Sequence, residues 1–249
     1  QRQMCIRDSG HHFVDTLIQK TALTPTLKAV RPNLDVVAGG ASLDTLEDVL
    51  AGMIKRGQGI QSLFADALAQ TAGDYDLVVI DTPPTRPLLL RLALSATRWI
   101  IVPTRPGRTS IEGLRALANE IGVARQANPD LELLGALLYD VEAGASVIRR
   151  NATDDITTVL GGAAPMFKTV IRHALSPVVE SEEKGLLIHE VAETVDKAEP
   201  YWKALQEGRR PERVPGSAPA LAEDFVLLTQ EILTTIDARE QAQAAEVTA

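Results

Sequence analysis

Apolar and polar residues follow two different periods along the chain. Short, uniformly apolar runs predict strands, and longer stretches with an apolar residue every three or four positions predict helices. The strand-like runs are Asn33–Ala38, Leu77–Ile80, Trp99–Val102, Leu131–Leu138 and Met166–Ile171. The helical stretches are residues 13–22, 42–54, 60–71, 87–95, 109–126, 145–160, 190–205 and 220–236. This alternation, without an internal repeat, predicts one α/β domain, doubly wound around a mostly parallel sheet with helices on both faces.

The run Leu77–Ile80 carries the most distinctive strand pattern. Its four apolar residues, three of them β-branched, suit a strand buried on both faces of a parallel sheet. Asp81 follows, and Pro83 and Pro84 end the strand because neither can donate a ladder hydrogen bond. We therefore expect Asp81 at the carboxyl end of the sheet, where open α/β folds bind ligands. A buried strand and a proline turn without any chemistry fit the run equally well.

The composition excludes several classes of function. With a net charge of -8, the 249-residue chain has no global basic field for nucleic acid, so DNA binding would need a local patch. The single cysteine, Cys5, excludes an internal disulfide and a cysteine-based metal site. The four histidines show no metal-ligand spacing. No apolar run approaches the roughly 18 residues of a membrane-spanning helix.

Five passages resemble the ParA/MinD family of deviant-Walker P-loop ATPases, in the order and spacing of that family. Asp74–Pro84 resembles the Walker B segment. The other passages are Asn33–Gly40, Ile101–Thr104 with the following Thr109–Leu114, Leu133–Leu138, and Phe167–Arg172. The resemblance spans residues 23–236 and fits the partition (ParA) branch best. It implies a P-loop NTPase-like fold that binds ATP and Mg²⁺.

One departure concerns the phosphate-binding loop. In this family a glycine-rich loop with a Gly-Lys pair follows the first strand, and its N–H groups and lysine hold the phosphates. The sequence contains no Gly-Lys dipeptide. Residues 1–9 lack periodicity and resemble translated sequencing-adapter read-through. A truncated gene product therefore explains the departure better than a natural pseudo-ATPase without a P-loop.

Domain boundaries follow from this interpretation. We expect residues 1–9 to be non-native, residues 10–238 to form one ATPase domain without its first strand and P-loop, and residues 239–249 to be a flexible tail. The chain as given should not hydrolyse ATP. The edge of Leu77–Ile80, which lacks its neighbouring strand, should make the chain prone to self-association.

The resemblance also assigns roles to individual residues. Asp81 is expected to hold the water shell of Mg²⁺ near the γ-phosphate, since magnesium prefers oxygen ligands and keeps several waters. The residues expected to form the switch turn that responds to the γ-phosphate are Thr82, Pro83 and Pro84. The residues expected at the base pocket, where two later strands end, are Tyr139, Asp140, Ile171 and Arg172. Ordinary half-buried packing explains Tyr139 equally well, and His173 is interpreted as a loop residue of no consequence.

The partners implied by the resemblance are a second copy of the chain, bound in an ATP-dependent homodimer, a ParB-like protein that stimulates hydrolysis, and non-specific DNA. DNA binding would use cationic contacts to phosphates. The candidates are Arg149, Arg150, Lys168 and Arg172. The last helix is acidic, so we expect no membrane binding and a cytoplasmic, nucleoid-associated protein. The alternatives are a MinD-like or other ATPase of the superfamily in positioning or regulation, and a non-catalytic scaffold of the same fold.

Overall fold

The computed structural model describes residues 10–83, 86–161, 165–199, 201–208, 210 and 214–247. The elements, in chain order, are α1 (His11–Gln19), β1 (Leu27–Arg31), β2 (Leu34–Val36), α2 (Ser42–Lys55), α3 (Leu63–Ala69), α4 (Pro87–Ala96), β3 (Trp99–Thr104), α5 (Arg108–Ala124), β4 (Glu132–Val141), α6 (Ser146–Leu160), β5 (Ile171–Arg172), α7 (Leu175–Lys184), α8 (Ile188–Asp196), α9 (Tyr201–Gln206) and α10 (Ala218–Val247). The chain divides into two compact units. The first unit runs to Ile100 and takes in residues 116–132, and the second comprises residues 101–115 and the chain from Leu133 onward.

The second unit contains β5 and most of β3 and β4, which form a sheet of order β3-β4-β5 in which β4 and β5 are parallel. Because β4 is covered on both faces, residues 133–138 are all buried, as its unbroken apolar sequence predicts. Gly135 is needed here, because a Cβ at this position would lie 2.7 Å from Cε2 of Phe167. The chain thus has the predicted α/β fold, with a parallel sheet flanked by helices.

Helix α10 closes the open edge of β5. It packs against β5 and against α7 and α8. Asp224 accepts a hydrogen bond from the backbone N–H of Arg172 at 3.1 Å. The two oxygens of Glu231 accept from the backbone N–H groups of Lys168, at 2.7 Å, and Thr169, at 3.0 Å. Asp224 thus satisfies an edge donor of β5 that a further strand would otherwise use, and Glu231 binds the segment that precedes β5.

The largest departures from the predicted helix bounds lie in the carboxyl-terminal part of the chain. The last helix was expected over residues 220–236, but α10 continues to Val247. Residues 190–205 were expected to form one helix, but they contribute to α8 and α9. The end of α8 tightens into a 3₁₀-type turn, in which the Ala198 N–H donates to the Val195 carbonyl at 3.2 Å, and this turn ends the helix.

The core of the first unit is formed by helices α1 to α4. Leu17, Leu46 and Leu50 are buried at its centre, and the rings of Phe13 and Phe64 meet edge to face at 5.3 Å. These residues recur at helical spacing, which is why an apolar stripe from each helix can reach a common core.

Beside this core, β1 and β2 form an antiparallel hairpin. Leu27 lies opposite Val36, and Arg31 lies opposite Leu34. The sequence predicted one strand, Asn33–Ala38, within a parallel sheet, and this prediction was wrong in partner and length. Asn33 instead occupies the turn with φ 59°, a left-handed conformation that asparagine tolerates better than most residues.

The predicted buried strand Leu77–Ile80 is not a strand in the structure. Val79 is 83% exposed and Leu77 56% exposed, and only Ile80 packs against the core of the first unit. Among the described residues, none forms a backbone hydrogen bond with residues 76–83. A strand exists only where a neighbour takes up its N–H and C=O groups, and no described segment does so here.

Candidate functional site

Asp81 lies at the surface of the first unit, after the unpaired apolar run. Its side chain is exposed, while Thr82 and Pro83 are half-buried; Pro84 lies outside the described residues. Within the described part of the chain, no three His, Cys, Asp or Glu side chains are grouped to hold a metal. A lone carboxylate does suit Mg²⁺, which commonly binds through one or two carboxylates, waters and substrate phosphates. Asp81 therefore fits a magnesium ion that arrives with a nucleotide, and not one held by protein side chains alone.

The predicted base-pocket residues meet at the carboxyl ends of β4 and β5. Tyr139 lies opposite Ile171, and Val141 lies opposite Arg172. Two steps along β4 thus face one step along β5, so Asp140 is the extra residue of a β-bulge. Asp140 has φ 60°, the left-handed conformation that side chains disfavour. Bulges of this kind re-aim a side chain next to functional sites.

The Asp140 carboxylate links residues from all three strand ends of the sheet. His173, which directly follows β5, places Nδ1 2.6 Å from one carboxylate oxygen. Arg105, which directly follows β3, places Nε 3.2 Å from the other. The Arg105 guanidinium also lies 5.0 Å from the ring centroid of Tyr139, within cation–π range.

This arrangement shifts the pKa values of both Asp140 and His173. The hydrogen bond from His173 lowers the pKa of Asp140 below its ordinary value, and the charge of Arg105 adds to this effect. The same hydrogen bond, followed by the charge of Glu142, raises the pKa of His173. The interpretation of His173 as an inconsequential loop residue was therefore wrong in structural terms. The available signal was position, since Arg105 and His173 each directly follow a strand.

Arg172 is held by the buried carboxylate of Asp224 on α10. Its Nε and Nη2 atoms donate to the two oxygens of Asp224 at 2.6 and 2.7 Å, a two-pronged ion pair. This hydrogen bonding raises the pKa of Arg172. The guanidinium predicted to reach a nucleotide and DNA thus has its charge matched within the protein. Sequence reasoning missed Asp224, which lies 52 residues away along the chain.

Three of the four cationic residues predicted for DNA line one cavity of about 690 Å³. Arg149 and Arg150, from the first turns of α6, line it together with Arg172. Arg149 also donates to the backbone carbonyl of Lys168 at 3.3 Å, so the backbone of the fourth candidate lies beside Arg149. The charged residues that line the cavity are Glu142, Arg149, Arg150, Asp154, Arg172, His173 and Asp224. The lining is therefore of mixed charge, with the arginines exposed and Asp224 buried.

Comparison with known proteins identifies a family and several relatives. The family model AAA_31, described as an AAA domain, matches residues 3–133. The chromosome partitioning protein ParA of Myxococcus xanthus is 36% identical over 33% of this chain and 29% of its own length. The sporulation initiation inhibitor protein Soj of Bacillus subtilis is 30% identical over 52% of this chain and 50% of its own length. The chain thus spans half or less of these curated relatives.

A solved structure resembles the fold. Cobyrinic acid a,c-diamide synthase from Mycobacterium smegmatis aligns with a TM-score of 0.50 and 26% identity, over 59% of this chain and 58% of that one. No helix among the described residues is long and apolar enough to span a membrane.

Proposed function

The chain belongs to the AAA_31 family of AAA domains, ParA/MinD-like P-loop ATPases, and we propose that it is part of a ParA-type ATPase of plasmid or chromosome partition. The family match over residues 3–133 carries the proposal, and the similarity to a chromosome partitioning protein and to Soj supports the partition branch. In this proposal the whole protein binds MgATP and dimerises. It then binds nucleoid DNA without sequence preference, in the cytoplasm, and hydrolyses ATP when a ParB-like partner stimulates it.

The proposed nucleotide site assigns Asp81 to the water shell of Mg²⁺ and Thr82, Pro83 and Pro84 to the turn that senses the γ-phosphate. Bound magnesium would neutralise charge on the phosphates during transfer. Exposure of Asp81 after an apolar run supports this role, because the carboxylate is free to meet an incoming nucleotide. The residues proposed for the base pocket are Tyr139, Asp140, Ile171 and Arg172.

The absence of a Gly-Lys dipeptide supports one limit on this function. Backbone N–H groups and a lysine of a P-loop are what hold the phosphates in such ATPases. We therefore propose that the present chain, with its ATPase domain at residues 10–238, does not hydrolyse ATP by itself. Phosphate binding belongs to a protein that also carries the P-loop.

The proposed DNA contacts are Arg149, Arg150 and Lys168, with Arg172 as a further candidate. The three arginines line one cavity and Arg149 contacts the backbone of Lys168, which supports a shared phosphate-binding patch. Arg172 can contribute only part of its charge, since Asp224 already accepts its hydrogen bonds. Binding that rests on such contacts weakens steeply as salt is added.

The decisive experiment uses the protein encoded by the extended reading frame. Asp81→Ala in that protein should abolish ATP-dependent retention on DNA, because magnesium loses its protein carboxylate. Asp76→Ala is the matched control, since it removes an exposed carboxylate five residues upstream in the same segment. Undiminished retention in the Asp81 variant would show that the site assignment is wrong. A reading frame without a lysine-containing glycine-rich loop after a strand would refute the ATPase itself and favour the scaffold alternative.

A further inference from the structure

Three strand ends of the second unit are tied together through one carboxylate. Asp140 sits at the bulge of β4, Arg105 follows β3 and His173 follows β5, with contact distances of 3.2 Å and 2.6 Å to the two Asp140 oxygens. We propose that Asp140, His173 and Arg105 form a pH-sensitive latch that holds the bulge and the Tyr139 ring in place, and that loss of the His173 proton loosens it.

The backbone at Asp140 explains why a latch is needed. A residue with a side chain pays a conformational penalty at φ 60°, and such a conformation persists only where surrounding contacts impose it. Here both carboxylate oxygens are engaged by cationic groups from neighbouring strands. Arg105 extends this restraint to Tyr139 by lying over its ring.

The charges around His173 determine how the latch responds to pH. Its Nδ1 faces Asp140, and its Nε2 lies 3.8 Å from Glu142. Arg105 opposes the imidazolium charge, and the other charged groups that line the same cavity are Arg149, Arg150 and Asp154 from α6, Arg172 beside it, and Asp224 from α10. Carboxylates therefore face both ring nitrogens, and the imidazolium is the form that the closest neighbours favour.

The direction of the pH response follows from the shifts in the pKa of His173 and in the pKa of Asp140. The hydrogen bond to Asp140, and then the charge of Glu142, raise the pKa of His173 above its ordinary value of 6.5. The stabilising contribution of the ring charge is therefore complete below pH 6.5, and it disappears as the pH rises through the pKa that His173 has in the folded protein. The pKa of Asp140 is lowered, so its carboxylate stays charged until the solution becomes strongly acidic. The latch is therefore tightest in mildly acidic solution and loosens toward alkaline pH.

Loosening should remain local to the bulge. The backbone N–H of His173 donates to the Val141 carbonyl at 2.9 Å, and this bond does not depend on the ring proton. The parallel pairing of β4 and β5 thus survives deprotonation, while the Asp140 side chain and Tyr139 lose part of their restraint. Because both residues belong to the proposed base pocket, nucleotide affinity would also follow the latch, a consequence that rests on the proposed function.

The test is an NMR titration of the full 249-residue chain from pH 5.5 to 9. The His173 ring should titrate with a midpoint above that of an unperturbed histidine, and the backbone amides of Tyr139 to Val141 should shift with the same midpoint. Glu142→Gln should lower the midpoint and Arg105→Gln should raise it. Asp154→Asn, at a carboxylate of the same cavity that forms no ion pair with the ring, should move it less than Glu142→Gln.

In His173→Gln the amides of Tyr139 to Val141 should no longer shift over this pH range. A ring midpoint at or below the ordinary value, or amides that ignore the ring titration, would overturn the latch. The wild-type titration decides the matter even if a variant fails to fold. No nucleotide is used, so failure of the proposed function leaves this result unaffected.

Discussion

Asp224→Ala tests whether carboxylates fasten α10 to the edge of β5. The substitution removes the acceptor for three hydrogen bonds, from the backbone N–H, Nε and Nη2 of Arg172. The Asp224 side chain is only 10% exposed, whereas that of Arg172 is 43% exposed. The variant should therefore destabilise the protein mainly by leaving the β5 edge donor and the guanidinium without their partner.

The expected loss in the free energy of unfolding lies between two limits. Breaking a buried ion pair costs about 3–5 kcal/mol, and a hydrogen bond to a charged group contributes about 1.5–3 kcal/mol. Water can rehydrate the exposed half of the Arg172 guanidinium, so we expect a loss of about 2–3 kcal/mol in the free energy of unfolding. For a chain of this size, that loss lowers the melting temperature by about 4–12 °C.

Urea unfolding followed by circular dichroism measures this loss. The midpoint should fall while the m-value stays unchanged, because the surface exposed on unfolding does not change. Glu223→Ala removes a neighbouring, exposed carboxylate from the same helix and should stay within about 0.5 kcal/mol of the wild type. If Asp224→Ala is no more destabilising than this control, the carboxylate is not what fastens α10, and the proposed edge closure is wrong.

Two further substitutions probe packing and association. Gly135→Ala should destabilise the protein by about 1–3 kcal/mol, because the new Cβ would lie 2.7 Å from the Phe167 ring; Phe167→Leu in the same background should recover part of the loss in urea unfolding. Val79→Lys should reduce self-association in sedimentation velocity, because Val79 is 83% exposed in an unpaired apolar run. Val123→Lys, at a 49% exposed helical position, is its control, and equal association of both variants would exclude this segment as the contact.

The buried strands show what a local pattern can predict. A strand covered on both faces has no polar residue in its interior, so β4 was recognisable from its unbroken apolar run. Leu77–Ile80 has the same pattern, yet it forms no strand among the described residues. The pattern reports that a segment is suited to burial, but the neighbour that would bury it lies elsewhere in the chain. Partner identity is therefore the part of the fold that this pattern could not supply.

The candidate functional site was likewise predictable from the sequence only in part. Parallel strands deliver their carboxyl ends to one edge, and the register does place Tyr139 opposite Ile171. The predicted strand Met166–Ile171 was wrong in its bounds, however, since β5 is Ile171–Arg172 and Ile171 begins it. The contacts that complete the cluster were not predictable in this way. His173 meets Asp140 across 33 residues, and Arg172 meets Asp224 across 52. Such pairings depend on the bulge and on how α10 docks, and neither leaves a periodic trace in the sequence.

The spacing of the two carboxylates of α10 is tied to the spacing of the backbone N–H groups that they bind. Asp224 and Glu231 are seven residues apart, which corresponds to about 10.5 Å along a helix. Their backbone partners are Arg172 in β5 and Thr169 in the segment just before it, three residues apart, which corresponds to at most about 10 Å of chain. The contacts run in opposite directions along the two segments, since Asp224 binds Arg172 and Glu231, further along the helix, binds the earlier Thr169. A one-residue insertion between Asp224 and Glu231 would rotate one carboxylate by about 100° away from the edge, so each interval can change length only if the other changes with it.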